Sequence, residues 1–289
     1  MSASTSLGAT ALFLSIVMAA ADPAAAVNLV PNQSFEGYTP CPSGLSEIAN
    51  AAPWDTPNQA SPDLYNVCAT AGSGVSVPSN TFGSQAALTG VGYAGIIVRP
   101  INDYREYLEV PLATALTASV SYTVSFNLSL CDLSNITCDR IGAYLSVGSV
   151  GPVPGVGTLP FTPQIESAPG NFLTDKTNWI TVSGTYMAAG GENSIVIGNF
   201  HDNATTNLTS LSGSYNGVYF YVDDVLVEAN TVTDEACCLP DGSCGLMLPG
   251  ECQSLGGSPQ GPGSTCGPDA CHPVAVAPST WSGIKARTE

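Results

Sequence analysis

The sequence predicts an all-β protein: an antiparallel β-sandwich of jelly-roll type with a small disulfide-rich C-terminal module. Three observations carry this. Residues 119–130, SVSYTVSFNLSL, alternate polar and apolar without a break. A period of two marks a half-buried antiparallel strand, and a helix would scramble it. Glycine and proline number 30 and 22 while only 10% of residues are charged, so turn formers are plentiful and the Glu, Lys and Arg of long surface helices are scarce. The third is the ten cysteines, six of them crowded between residues 237 and 271, a density typical of small modules that rely on cystines.

In chain order, residues 9–21, ATALFLSIVMAAA, form an apolar run too short to span a bilayer and of the length of a signal h-region. Ala24, Ala25 and Ala26 supply small residues for cleavage before Val27 or Asn28. Residues 1–26 are therefore read as a signal peptide, although no Lys or Arg precedes the run. No other stretch approaches a membrane-spanning length, so no membrane span is expected. The sandwich is assigned to residues 27–230. Besides 119–130, strands are read at 92–98, 104–112, 141–147, 178–186, 193–200 and 217–228, with a turn-rich segment, SVGPVPGVGTLPFTP, at 149–163. Residues 231–272 make the disulfide module and 273–289 a flexible tail.

Acidic residues number 23 against 6 basic, a formal charge of −17, which makes nucleic acid and anionic membrane surfaces poor partners. The even cysteine count suits an oxidising, extracellular setting. Cys131 and Cys138 bracket the short DLSNIT loop and are expected to pair, which leaves Cys41 and Cys68 for each other. Cys237, Cys238, Cys244, Cys252, Cys266 and Cys271 are expected to form three further bridges whose connectivity the sequence leaves open.

Certain segments resemble a known family. The opening NLVPNQSFEGYTPCPSGLSEI, the runs YAGIIV and YREYLEVPL, the stretch FLTDKTNWITVSGTYMAAGGENSIVIGNFHDNATT and the closing YFYVDDVLVE are similar to the N-terminal jelly-roll module of bacterial secreted and outer-membrane OmpA-like proteins. That module in turn resembles galactose-binding-like carbohydrate-binding modules. The likeness spans roughly residues 28–228. The chain departs from the pattern afterwards. Where an OmpA-like domain would follow, it carries the cysteine-rich run from Ala236, which resembles small modules appended to secreted bacterial proteins, so anchoring through the usual partner domain is not expected. The resemblance implies a structural calcium ion held by Glu36 of the FE motif and Asp223 of the DDV strand, with Asp224 a further ligand. Carboxylates and backbone carbonyls suit that ion. The competing expectation is that Asp223 and Asp224 break or bulge the strand, with backbone amides capping them.

The same resemblance points to a glycan, or another cell-surface polymer, as partner. Sugar C–H faces stack on aromatic rings while amides and carboxylates take the hydroxyls. Strand alternation puts Trp179 on the face of Thr181 and Ser183, Arg105 and Tyr107 on the face of Glu109, and Tyr144 with Ser146. With Trp54 and Asn199 these are the expected groove, although aromatics on a sandwich also serve as cross-strand packing. Catalysis has little support. The two histidines, His201 and His272, lack metal-ligand spacing, and no nucleophile elbow, phosphate loop or dinucleotide fingerprint occurs. The pair Glu106 and Glu109 is one of many acidic pairs that a glycoside hydrolase reading would have to choose between. The expected function is a secreted, non-enzymatic glycan-binding protein at or near the cell surface. A self-assembling structural or adhesive subunit is the alternative, and a hydrolase on the same scaffold a further one.

Overall fold

The computed structural model describes residues 27–100, 102–230, 234–261, 264–267, 270 and 271. The signal peptide and tail assignments lie outside the described residues. The strands, in chain order, begin with β1 (Asp63–Asn66), β2 (Ser79–Asn80), β3 (Gly83–Ser84), β4 (Gly92–Arg99) and β5 (Leu108–Pro111). There follow β6 (Ser121–Leu130), β7 (Ile136–Cys138), β8 (Gly142–Ser146), β9 (Ile165–Glu166) and β10 (Ile180–Met187). The last sandwich strands are β11 (Ser194–Gly198), β12 (Leu208–Ser210) and β13 (Val218–Ala229). Beyond them come β14 (Glu235–Cys238), β15 (Cys244–Met247), the helix α1 (Pro249–Ser254) and β16 (Ser258–Pro259).

Two antiparallel sheets make the jelly-roll sandwich. One has five strands in the order β1-β4-β13-β6-β10, the other four in the order β5-β11-β8-β9. The alternation read in 119–130 is the observed one: Tyr122, Val124, Phe126, Leu128 and Leu130 are buried between the sheets, opposite Ile195 and Ile197 of β11 and Ala143 and Leu145 of β8. The ends of the sandwich meet. Asn28 bonds to Val225 and Val227, and the Leu29 amide donates to Val227 O, so the first segment lies along β13.

Each sheet also has a covered outer face. On the five-stranded sheet, Tyr65, Tyr93, Tyr219 and Tyr221 form an aromatic layer with Phe82 and Trp179. On the four-stranded sheet, Tyr107, Val196 and Phe200 lie beneath Val150, Val153, Leu159 and Phe161 of the turn-rich segment. These second layers explain how so many aromatic residues on nominally solvent-facing strand positions are buried.

The disulfides follow the expectation in part. Cys41 pairs with Cys68, and the C-terminal pairs are Cys237–Cys252, Cys238–Cys271 and Cys244–Cys266. The expected Cys131–Cys138 bridge is absent, and both thiols are free and buried. Strand geometry separates them. Cys131, just past β6, sits in the tyrosine layer with Sγ 3.0 Å from Ser134 Oγ, whereas Cys138, ending β7, belongs to the inter-sheet core. Burial pushes both thiols above their ordinary range.

Candidate functional site

The expected sugar platform does not assemble. Trp54 is 1% exposed, tilted against Phe35 at 4.8 Å, and its indole N–H donates to Asn32 O. Arg105, Tyr107 and Asn199 are each fully buried. Strand alternation does put Tyr107 on the outer face, but the 149–163 segment covers it: its hydroxyl donates to Asn199 O and accepts from the Leu159 amide. Arg105 donates to Tyr104 O, His201 O and Asn203 Oδ1. Asn199 Nδ2 donates to Thr206 Oγ1. Only Tyr144 and Trp179 remain half-exposed, and they belong to different sheets. Tyr144 stacks on Phe161 at 4.7 Å, and Trp179 meets the edge of Tyr93 and donates to Ala86 O.

The expected calcium ligands converge on one turn, as chain ends that meet require. Glu36 Oε1 accepts from the amides of Val91 and Gly92, at 2.7 and 2.9 Å. Asp223 Oδ2 accepts from the amides of Leu88 and Thr89, and Asp224 Oδ1 from the Thr89 hydroxyl. Asp224 adopts a left-handed backbone (φ 45°), and the β13–β6 register shifts between Asp223 and Leu226. The acidic pair is therefore a bulge whose side chains cap a neighbouring turn. This donor set does not fit a calcium cage, because N–H groups rather than carbonyl oxygens point at the carboxylates. Among the described residues no group of three or more His, Cys, Asp or Glu side chains is arranged to hold a metal.

The Glu106/Glu109 pair is also split by strand alternation. Glu106 Oε2 accepts from the Ile97 amide and Oε1 from the Tyr104 hydroxyl. Burial pushes its carboxyl up to about 7, and the nearby Asp63 acts in the same sense. Asp63, itself pushed up to about 6 by burial, accepts from Tyr219 and from the Ser46 amide. Glu109 faces the other way, where Val150 N, Gly151 N and Ser194 Oγ donate to its two oxygens.

Glu109 forms part of the floor of an open cleft of about 560 Å³ at the β5 edge of the four-stranded sheet. The wall on one side is residues 53–56, which extend the sheet through mutual backbone bonds between Asp55 and Glu109. The opposite wall is Ser149, Gly151 and Pro152 of the turn-rich segment, with Asn193 and Ser194 completing the floor. Pro53, Pro111 and Pro152 supply apolar ring faces. Asp55, Ser149 and Asn193 are exposed. Asp55 Oδ1 accepts from Thr56 N and Asn193 Oδ1 from Gly148 N, which fixes both side chains. The walls come from segments almost a hundred residues apart with no motif of their own. The only signal the sequence held was the turn-rich character of 149–163.

No protein-family model and no curated protein matches the sequence. Among solved structures, the chain is similar to the CBM22-1 xylan-binding domain from Paenibacillus barcinonensis Xyn10C (12% identity, 68% of this chain and 91% of that one, TM-score 0.35). It is also similar to a cleaved adhesin domain of Lys-gingipain from Porphyromonas gingivalis (16% identity, 68% and 96% covered, TM-score 0.37). A CBM61 module solved with beta-1,4-galactotriose aligns at 13% identity over 70% of this chain and 97% of that one, with a TM-score of 0.32.

Proposed function

We propose that the chain is an extracellular, non-enzymatic binding protein that takes an uncharged glycan in the cleft between residues 53–56 and 149–152. The observation that carries this reading is the cleft itself. Its volume of about 560 Å³ lies in the range of small-ligand sites. Its exposed polar atoms, on Asp55, Ser149 and Asn193, alternate with proline ring faces, the pairing of hydrogen-bond groups and C–H surface that a sugar ring presents in return. The carboxylates of Asp55 and Glu109 in a chain of charge −17 disfavour an anionic polymer. A binding role fits better than hydrolysis, because both Glu109 oxygens are already occupied by three protein donors and Glu106 is sealed on the far side. Export is supported by the four cystines.

A glycan array followed by calorimetry on the strongest binders tests this. Asp55→Ala and Asn193→Ala should each weaken binding at least tenfold while costing only the ~1 kcal/mol of stability that an exposed capping hydrogen bond supplies. Binding to no glycan, or binding that ignores both substitutions, would overturn the reading.

A further inference from the structure

The strands at the edges of the two sheets differ in how they end the hydrogen-bond ladder. β1 has four residues, β9 has two, and β5 is extended by Asp55. β10 is different. It runs for eight residues, ITVSGTYM, pairs with β6 along all of them, and among the described residues has no strand on its other side. It contains no charge, no proline and no bulge, the devices by which exposed edges are usually blunted.

The direction of its backbone groups follows from its neighbours. Ala188 N donates to Val120 O and Ser119 N to Ala188 O, so residue 188 faces β6. At the adjoining pair Met187–Ser121, Asn230 N donates to Ser121 O, so Ser121 faces β13 instead. Antiparallel strands alternate residue by residue, so Ile180, Val182, Gly184 and Tyr186 bond to β6. Thr181, Ser183, Thr185 and Met187 then direct their N–H and C=O groups outward. These are the four residues of the strand that are exposed. Below the strand, an added Cβ on Gly184 would lie 2.8 Å from Ile165 Cδ1, so β9 packs under β10 on the core side rather than beside it. Among the described residues the edge is laterally open.

We propose that β10 is the docking edge for the β10 strand of a second copy of this chain, paired antiparallel about a two-fold axis at Ser183. This register is self-complementary. Ser183 faces the partner's Ser183, and Thr181 faces the partner's Thr185, each as a hydrogen-bonded pair that exchanges both N–H···O bonds. The outer face then presents Ser and Thr to one another, a favourable cross-strand combination. On the core side Val182 faces the partner's Gly184, so no two bulky side chains oppose each other across the seam. The strand is neutral in a chain of charge −17, so no like charges meet at the seam. Repulsion between the bodies acts at longer range and is screened by salt.

Sedimentation velocity on the intact protein across a wide concentration range should show a monomer–dimer equilibrium that strengthens with ionic strength. Ser183→Lys sets two ammonium groups opposite each other and should weaken dimerisation at least tenfold without altering the melting curve. Cysteine substitution reads the register directly. Under mild oxidation Ser183→Cys should cross-link into dimers, because hydrogen-bonded antiparallel pairs place Cα atoms about 5.5 Å apart, within disulfide reach. Thr181→Cys alone should not, and the Thr181→Cys, Thr185→Cys double variant should. A monomer at every concentration, or cross-linking of Thr181→Cys as efficient as that of Ser183→Cys, would overturn the proposal and leave the edge to solvent or to a strand of another protein.

Discussion

Glu36 and Asp223, near opposite ends of the sandwich, hold the same turn. Glu36 takes the amides of Val91 and Gly92, and Asp223 takes those of Leu88 and Thr89. Gly90 stands between them with φ +61°, and a Cβ there would strike the Glu36 carboxylate at 2.2 Å. The opening and closing motifs of the sandwich therefore act together on the entry to β4.

The two ends of this clamp should differ in strength. Glu36 is exposed, so water can replace it, and Glu36→Ala should cost about 1 kcal/mol. Asp223 is fully buried and also takes the Asp224 amide, so Asp223→Ala leaves three amides without their acceptor and should cost about 3 kcal/mol. Thermal melting checks both, and the same melts in calcium and in chelator should coincide. A calcium-dependent rise that Glu36→Gln abolishes would restore the metal site.

Stability should fall as pH rises toward neutrality. Burial pushes Asp63 up to about 6, and Glu106 and Asp223 up to about 7. In the unfolded chain such groups titrate near pH 4 (roughly). Between about pH 4 and 7 the folded state therefore holds protons that the unfolded state has released, and stability decreases with increasing pH. The surface acids Asp175 (half-buried), Asp202 and Asp241, held below their ordinary values by local donors, act at lower pH and outside this window. Melting temperatures at about pH 5 should exceed those at about pH 7.5, with a shallower slope for Asp63→Asn. A melting temperature that rises over this range would contradict the assignment.

Much of the sandwich was legible in the sequence because β6 and β13 have one face in the core and their residues show it. The period in 119–130 sets which of its side chains lie between the sheets, and the faces read for Tyr107, Glu109 and Tyr144 hold. What the period does not contain is the second layer. Tyr107 and Arg105 look solvent-facing until residues 149–163 and 199–203 fold over them, Tyr219 until Phe82 does, and Tyr93 until Trp179 does. Cys131 and Cys138 misled in a related way. Their short spacing describes the loop between them, whereas their fate depends on which layer each strand end enters.

Thiol chemistry should report this directly. The native chain should react with no thiol reagent, and after denaturation without reductant it should expose two thiols, Cys131 and Cys138. Mild reduction should abolish the β14–β15–β16 sheet and leave the sandwich, which has only the Cys41–Cys68 staple, largely folded. Peptide mapping of alkylated protein and far-ultraviolet circular dichroism are the measurements. A Cys131–Cys138 cystine in the map would refute the layer argument.

Lys176 should matter more than a half-exposed lysine usually does. Its ammonium donates to the carbonyls of Asp132, Ser134 and Ser212 at 2.7–2.8 Å, using all three of its protons. It ties the segment after β6 to the approach to β13. Lys176→Met should cost about 1–3 kcal/mol in urea unfolding. Lys176→Arg should recover little, because a planar guanidinium cannot aim three donors at converging carbonyls. Equal stability of wild type and Lys176→Met would show that solvent satisfies the three oxygens.

The two sequestered thiols also set an order of events during maturation. In an unfolded chain Cys131 and Cys138 are each other's nearest cysteine neighbours in that part of the sequence, and closing so short a loop costs little entropy. An oxidant that acts before β6 and β7 take their places therefore finds this pair first, and the bond it makes ties together two sulfurs that belong in different layers. Once the sheets have formed, the same oxidant meets only the eight cysteines that end as cystines. The sandwich acts as a sorting device for oxidation, and the yield of correctly bridged chains depends on collapse outrunning the oxidant.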